Sequence, residues 1–327
     1  MKRLSASGLR DALFAIGLAT FPVFGCHPAF AEDKIVAVFA GPITDKGFTQ
    51  VNYEAMKDEA AKEGFAFAYT DSVAPSAMLE TLRGYARGGA KLILGLGEEF
   101  TAPANQVGHE FPDVDFAVIN SNKANDKNVA AVLIDAWPLG YVSGVIAAHQ
   151  TKSKTVGFIN GMEFSSTKRA ADGFKAGVAS VDPAVKTLTV FTGDFSDPAK
   201  GRAAATAMIS AGADVLVSAL DLGAQGIVAA AKQAGDVHMV GFFVDQATEL
   251  KEPDLFYTSA VEDWPATGRE LVRLSKSGKF KGGNFVYSVQ DPKFAYFAPW
   301  GPAASQEAKS AAEAAIADFR SGKLKAP

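Results

Sequence analysis

The stretch "KIVAVFAGPITDKGFTQVNYEA", residues 34–55, contains an apolar run, a turn and the beginning of a helical pattern. The run "KIVAVFA" is typical of a buried strand, and "NYEAMKDEAAKEG" is typical of a surface helix. The turn between them holds an acid, a glycine and an aromatic ring, at Asp45, Gly47 and Phe48. Turns of this kind lie at the carboxyl edge of a parallel sheet, where α/β proteins bind their ligands. We therefore interpret this turn as a ligand-facing lip, with a plain connecting loop as the alternative.

The alternation of apolar runs and helical patterns continues along the chain. Further strand candidates are "FAFAYTD", "KLILGLG", "DFAVIN", "KTVGFIN", "KTLTVFTG", "ADVLVSAL" and "HMVGFFV". Helical patterns separate them, and several of these end at glycine, which is a helix-stop signal. Unbroken apolar runs of this length are typical of parallel strands that are buried on both faces.

This order of elements predicts an α/β fold with two doubly wound parallel-sheet lobes joined by a hinge. The alternative is one long continuous sheet. We expect residues 1–31 to be a signal peptide, residues 32–150 to form the N-terminal lobe with a return helix near 264–282, and residues 151–262 to form the C-terminal lobe with a tail at 285–322. The tail contains an aromatic, β-rich segment and a final helix, which we expect to tie the lobes together.

The N-terminus has the pattern of an export signal. The basic "MKRLSASGLR" precedes the apolar "ALFAIGLATFPVFG", which is too short to span a bilayer, and "AFA" then precedes "EDK". We predict cleavage after Ala31 and a periplasmic protein. Lipidation at Cys26 is the alternative, but bulky Phe24 stands where a small residue is usual. Cys26 is the only cysteine, so a chain cleaved at Ala31 has no thiol chemistry and no cysteine-based metal site.

Motifs for catalysis or for nucleic-acid binding do not stand out. The formal net charge is -4, which gives no electrostatic reason to expect a nucleic-acid partner. The P-loop, H-E-x-x-H and G-x-S-x-G patterns do not occur in the sequence. The histidines His109, His149 and His238 are scattered, and we interpret them as partly exposed polar residues.

The turn "GPITDKGFTQ" resembles the G-x-x-x-D-x-[SG]-F-N pattern of the BMP/PnrA-like family, the solute-binding lipoproteins of ABC-type nucleoside importers. The resemblance continues through "GFINGMEF" at Gly157, "GDFSDPAKG" at Gly193 and "VGFFVDQ" at Val240, and covers essentially the whole mature chain. It implies a type I periplasmic-binding-protein fold, no catalysis, no cofactor or metal, and delivery of a small ligand to an ABC permease.

The resemblance also implies ligand-binding positions in the first lobe. Phe48 matches the ring that stacks on the purine, and Asp45 precedes it in the same turn. Thr49 stands where the family pattern has an asparagine. Phe39 and Asn120 stand where nucleoside binders have aspartates. For Asp45 the alternative is a helix cap, and for Phe39 it is a position in the core.

The second half departs from the nucleoside-binding pattern at more positions. Phe243 replaces an aspartate that holds the ribose, which leaves Asp245, and Glu262 replaces a ribose-contacting lysine. Asp221 interrupts the glycine-rich loop "LDLGAQG". For Phe243 the alternative is a core position. Trp264 precedes Pro265 near the expected hinge, and either forms a wall of the cleft or packs in the hinge.

These departures favour a free nucleobase or another small heteroaromatic ligand over an intact nucleoside, because a buried site without those carboxylates leaves a ribose diol unpaired. Asn120, Asp221 and Glu262 would orient the ring, and a cationic group on the ligand would suit the two acids. We expect a monomer that works with ABC permease subunits. The alternatives are a binding protein for an unrelated solute, a sensor partner, or a hydrolase or lyase that uses a close Asp221–Glu262 pair.

Overall fold

The structure, a computed structural model, describes residues 33–45, 47–125 and 127–327. The predicted signal peptide and its cleavage site after Ala31, with the alternative of lipidation at Cys26, lie outside these ranges. Residues 33–327 form one compact unit. No helix within the described ranges has both the length and the apolar character needed to cross a membrane.

The first sheet of this unit is entirely parallel. Its strands within the described residues are β1 (Lys34–Phe39), β2 (Ala66–Thr70), β3 (Ala90–Leu96), β4 (Asp115–Ile119), β5 (Val129–Ile134) and β11 (Gly283–Tyr287), in the order β11-β5-β4-β3-β1-β2. The central strands are apolar and buried, because helices cover both faces of the sheet.

The second sheet repeats this plan with one antiparallel edge strand. Its strands within the described residues are β6 (Thr155–Asn160), β7 (Lys186–Phe191), β8 (Val215–Ala219), β9 (His238–Phe243), β10 (Phe256–Glu262) and β12 (Ala295–Phe297), in the order β12-β10-β9-β8-β6-β7. Only the β10–β12 pair is antiparallel among these. The prediction of two doubly wound parallel-sheet lobes is confirmed, and the alternative of one continuous sheet is wrong.

The connecting segments between these strands are mostly helical. The helices are α1 (Phe48–Lys62), α2 (Pro75–Arg87), α3 (Thr101–Glu110), α4 (Ala136–Gln150), α5 (Ser165–Val181), α6 (Pro198–Ser210), α7 (Ala224–Ala234), α8 (Gln246–Glu249), α9 (Trp264–Lys276) and α10 (Gln306–Arg320). A short 3₁₀ turn, Glu98–Phe100, precedes α3.

Helices α4 and α5 pack with their backbones in contact. Gly144 of α4 faces the carbonyl of Phe174, and a Cβ atom at Gly144 would lie 2.2 Å from that oxygen. Gly177 of α5 faces the carbonyl of Tyr141, where a Cβ atom would lie only 1.9 Å away. Since no side chain fits at either contact, these glycines set the distance between the two helices.

The chain crosses between the two sheets three times within the described residues. It leaves the first sheet after β5, returns to it through α9 after β10, and passes from β11 in the first sheet to β12 in the second. The sequence analysis assigned residues 136–150 to the first lobe and the tail from 285 to the second. However, α4 packs against α5, and β11 pairs with β5. We therefore propose the crossings as the lobe boundaries.

Candidate ligand-binding site

Helices α1 and α9 lie side by side and start at the same end of the first lobe. Gly268 of α9 faces Met56 of α1, and further along Arg273 Nε donates to Glu59 Oε1 at 2.6 Å. This parallel alignment brings their first residues together. The rings of Phe48 and Trp264 meet edge to face, with centroids 6.0 Å apart and planes at 80°.

Trp264 is also bonded to the carboxyl group of Glu262. Strand β10 ends at Glu262, Asp263 caps α9 through the Ala266 amide, and Trp264 opens the helix. The Trp264 Nε1–H donates to Glu262 Oε2 at 2.9 Å. Phe48, Trp264 and Glu262 therefore form a continuous group at the carboxyl edges of β1 and β10. These contacts are compatible with both predictions for Trp264, a wall of the cleft or packing in the hinge.

Burial changes the acidity of Glu262. Its side chain is only 6% exposed, and desolvation raises its pKa to about 8, opposed by the Trp264 hydrogen bond and reinforced by the negative charge of Asp135. Asp135 follows β5 and caps α4 through the Trp137 amide, and the Arg169 guanidinium holds both of its oxygens, at 2.9 and 2.8 Å. The sequence analysis did not single out Asp135.

The turn after β1 is organised by Asp45. Its carboxylate accepts hydrogen bonds from the amides of Gly47, Thr49 and Gln50, at 2.9, 3.0 and 3.0 Å. This is the helix-cap alternative, and it explains why α1 begins at Phe48, four residues before the helical pattern suggested. Thr49 is buried behind the turn. Ligand contact by Asp45 and Thr49 stays a prediction.

Asp221 faces this turn from the second lobe. A Cβ atom at Gly47 would lie 2.9 Å from Asp221 Cγ, so the two lobes meet here with no room for a side chain at residue 47. Enclosure by protein, together with the negative charge of Asp45, raises the pKa of Asp221 to about 7. The Asp221 amide is fixed by a 3.0 Å bond to the carbonyl of Phe195.

An aromatic pair lies beside Asp221 on the rim of the second sheet. Phe243 ends β9 with a positive φ of 73°, which is rare for an aromatic residue and costs about 1–3 kcal/mol. Its ring meets that of Phe195 at 6.2 Å and 66°. Phe195 was missed from the sequence, although it lies inside the quoted motif "GDFSDPAKG". Its ring contact with the strained Phe243 and the bond of its carbonyl to the Asp221 amide make Phe195 a candidate site residue.

The remaining sequence candidates have different surroundings. Phe39 is 1% exposed and packs on Tyr53 at 6.3 Å, which favours its core alternative. Asn120 follows β4 with a positive φ of 67° and is half-buried at the carboxyl edge, where it was expected. Asp245 Oδ2 accepts from Thr248 Oγ1 at 2.7 Å and lies next to α8. Their contact with a ligand remains a prediction.

The acid–base pair required by the hydrolase or lyase alternative does not form among the described residues. Asp221 interacts with Asp45, and Glu262 with Trp264 and Asp135, but no interaction joins Asp221 to Glu262. In the same ranges, no group of three or more His, Cys, Asp or Glu side chains is arranged to hold a metal ion.

The two raised pKa values predict a pH-dependent stability in the ligand-free protein. As the pH rises from about 5 to about 8, the unfolded chain releases these protons first, so the free energy of unfolding falls. We expect the melting temperature to fall over this interval, and to fall less in Glu262→Gln, which cannot ionise there. Differential scanning calorimetry at a series of pH values measures both slopes, and equal slopes would contradict the assignment.

The comparisons with known proteins agree with this architecture. The family model of the ABC transporter substrate-binding proteins, PnrA-like (Bmp), matches residues 32–289. The chain belongs to this family. It is 26% identical to the ABC transporter nucleoside-binding protein BmpA of Lactococcus lactis over 303 residues, which cover 86% of each chain. It is 27% identical to a purine-binding protein of Brucella abortus over 314 residues, 94% of this chain and 86% of the relative.

A solved structure supports the fold of this Bmp-family protein. An ABC transporter solute-binding protein from Aeropyrum pernix matches with a TM-score of 0.79, at 19% identity, over 90% of this chain and 94% of that one. The type I periplasmic-binding-protein fold is thereby confirmed. As a substrate-binding protein of an ABC transporter, the chain binds a small ligand and works with membrane permease components.

Proposed function

We propose that this Bmp-family protein is the periplasmic solute-binding protein of an ABC importer, and that it captures a small heteroaromatic ligand, a nucleobase or a nucleoside-like molecule, between its lobes. It then delivers the ligand to the permease and performs no catalysis. The observation that carries the proposal is the group of Phe48, Trp264 and Glu262, which Asp221 approaches from the opposite lobe. Flat rings bind between aromatic side chains, while carboxyl groups form hydrogen bonds with the polar edge of the ring.

The names of two relatives support this ligand class, since one binds nucleosides and the other purines. The residues favour the free base. Phe39 and Phe243 stand at the positions that hold carboxylates in the nucleoside-binding pattern, and here both rings pack against other aromatic rings. A ribose at this site would leave its hydroxyl groups unpaired, at a cost of about 1–3 kcal/mol for each.

A thermal-shift screen tests the proposal with residues 32–327, which include the whole compact unit. Nucleobases, the matching nucleosides and small heteroaromatic amines are added separately at saturating concentration. A ligand at about one hundred times its Kd adds about 2.7 kcal/mol of stability. We expect nucleobases to raise the melting temperature by several degrees and nucleosides to have little effect. A rise with adenosine, guanosine or inosine would contradict the preference for a base, and no rise with any compound would contradict the ligand class.

A further inference from the structure

Glu262 carries a buried oxygen that the protein leaves without a partner. Oε2 accepts from Trp264, but Oε1 has no hydrogen-bond partner among the described residues, although the side chain is only 6% exposed. An unpaired buried carboxyl oxygen costs about 1–3 kcal/mol or more. The atom lies next to the ring that faces Phe48, which is where the proposed ligand binds.

Among the described residues, the charges around the site are unbalanced in favour of acids. Asp45 accepts hydrogen bonds from three backbone amides, and Asp135 is paired with Arg169. Neither Asp221 nor Glu262 has a basic partner within the described residues. A ligand that carries N–H donors or positive charge would supply what the described residues lack, whereas an oxo group at the same edge could bond only the protonated form of Glu262.

We propose, on the basis of the proposed function, that Oε1 of Glu262 forms a hydrogen bond with the amidine edge of the ligand. An amidine edge is an amino group beside a ring nitrogen. This bond selects amino-substituted over oxo-substituted heteroaromatic rings. Trp264 acts as a positioning residue, because its bond to Oε2 holds the carboxyl group and leaves Oε1 without a partner among the described residues. The amino group would donate to Oε1 and favour the ionised form of Glu262, so ligand binding would lower the pKa that burial raises to about 8 and would release a proton.

Adenine and hypoxanthine are suitable probes, because they share one ring system and differ in the amino or oxo group at a single carbon. Isothermal titration calorimetry of residues 32–327 gives the Kd for each. We expect the wild type to bind adenine about tenfold or more tightly than hypoxanthine, which corresponds to one charge-assisted hydrogen bond.

Glu262→Gln replaces the acceptor Oε1 by an NH₂ group, which is a hydrogen-bond donor. Its amide oxygen keeps the Trp264 bond, which turns the NH₂ group towards the ligand and places donor against donor for adenine. We expect the adenine preference to fall at least tenfold or to invert. Glu270→Gln, in the helix α9 that follows Glu262, is the matched control, because Glu270 pairs with Lys293. We expect this variant to keep the wild-type preference.

The outcomes separate the inference from the function on which it rests. An unchanged preference in Glu262→Gln, with Phe48→Ala losing both purines, would overturn the role of Glu262 and leave the proposed function standing. Absence of binding of any heteroaromatic ligand to the wild type would overturn both. If Glu262→Gln does not fold, as judged by circular dichroism, Glu262→Asp replaces it. That variant withdraws the carboxyl group by one methylene, and should weaken adenine more than hypoxanthine; an equal loss would overturn the inference.

Discussion

Phe48→Ala is expected to bind the ligand about 10- to 100-fold more weakly than the wild type, or to lose binding altogether. The ring opens α1 at the lobe interface and stands against Trp264. Removing a stacked aromatic side chain costs about 1.5–3 kcal/mol, and each 1.4 kcal/mol is a tenfold change in Kd. Isothermal titration calorimetry with a nucleobase that raises the melting temperature of the wild type measures the loss.

Phe111→Ala is a matched control for this variant. Phe111 is also a partly buried ring of the first lobe, but it ends α3 and packs on the core of the opposite face of the first sheet. We expect it to lower the stability of the protein and to keep the affinity. If Phe48→Ala retained the affinity while Phe111→Ala lost it, the lip would not be the ligand site.

The second large effect is on stability. Gly177→Ala is expected to destabilise the protein by about 3 kcal/mol or more, because the added methyl carbon would lie 1.9 Å from the Tyr141 carbonyl oxygen and must force α4 and α5 apart. Urea unfolding followed by circular dichroism gives the change in the free energy of unfolding.

Gly84→Ala is the control for helix propensity. Gly84 lies inside α2, and a Cβ atom there has no heavy atom within 4 Å. We expect this variant to be neutral or more stable by up to about 1 kcal/mol, since alanine favours a helix over glycine. If the two variants had the same stability, the backbone contact between α4 and α5 would not limit the packing.

Much of the fold could be predicted from the sequence because most strands are short unbroken apolar runs that end at a turn. The exceptions include β5, β10 and α4, which were not expected from the sequence. Helix α4 is buried along most of its length, so it lacks the alternation of apolar and polar faces by which a helix is found in a sequence. Its closest contacts with α5 lie at Gly140, at Gly144 and at backbone carbonyls, which a search for apolar side chains does not detect.

The residues of the candidate site at the ends of strands could be predicted from the sequence. The contacts between its side chains could be predicted less well. Asn120 and Asp221 lie where expected strands end, and Phe48 opens the expected lip. The bond between Glu262 and Trp264 and the contact of Trp264 with Phe48 depend on two helices far apart in sequence lying in parallel. The contact between the rings of Phe195 and Phe243 depends on the positive φ of Phe243. The residue type gives no signal for this backbone conformation.

The passage of the tail from β11 to β12 bears on when the protein can fold. Each sheet takes an edge strand from residues 283–297, near the end of the chain. Neither sheet is therefore complete until those residues have been synthesised. For the periplasmic location proposed above, a chain whose two sheets stay incomplete until its last strands emerge would be compatible with secretion in an unfolded state.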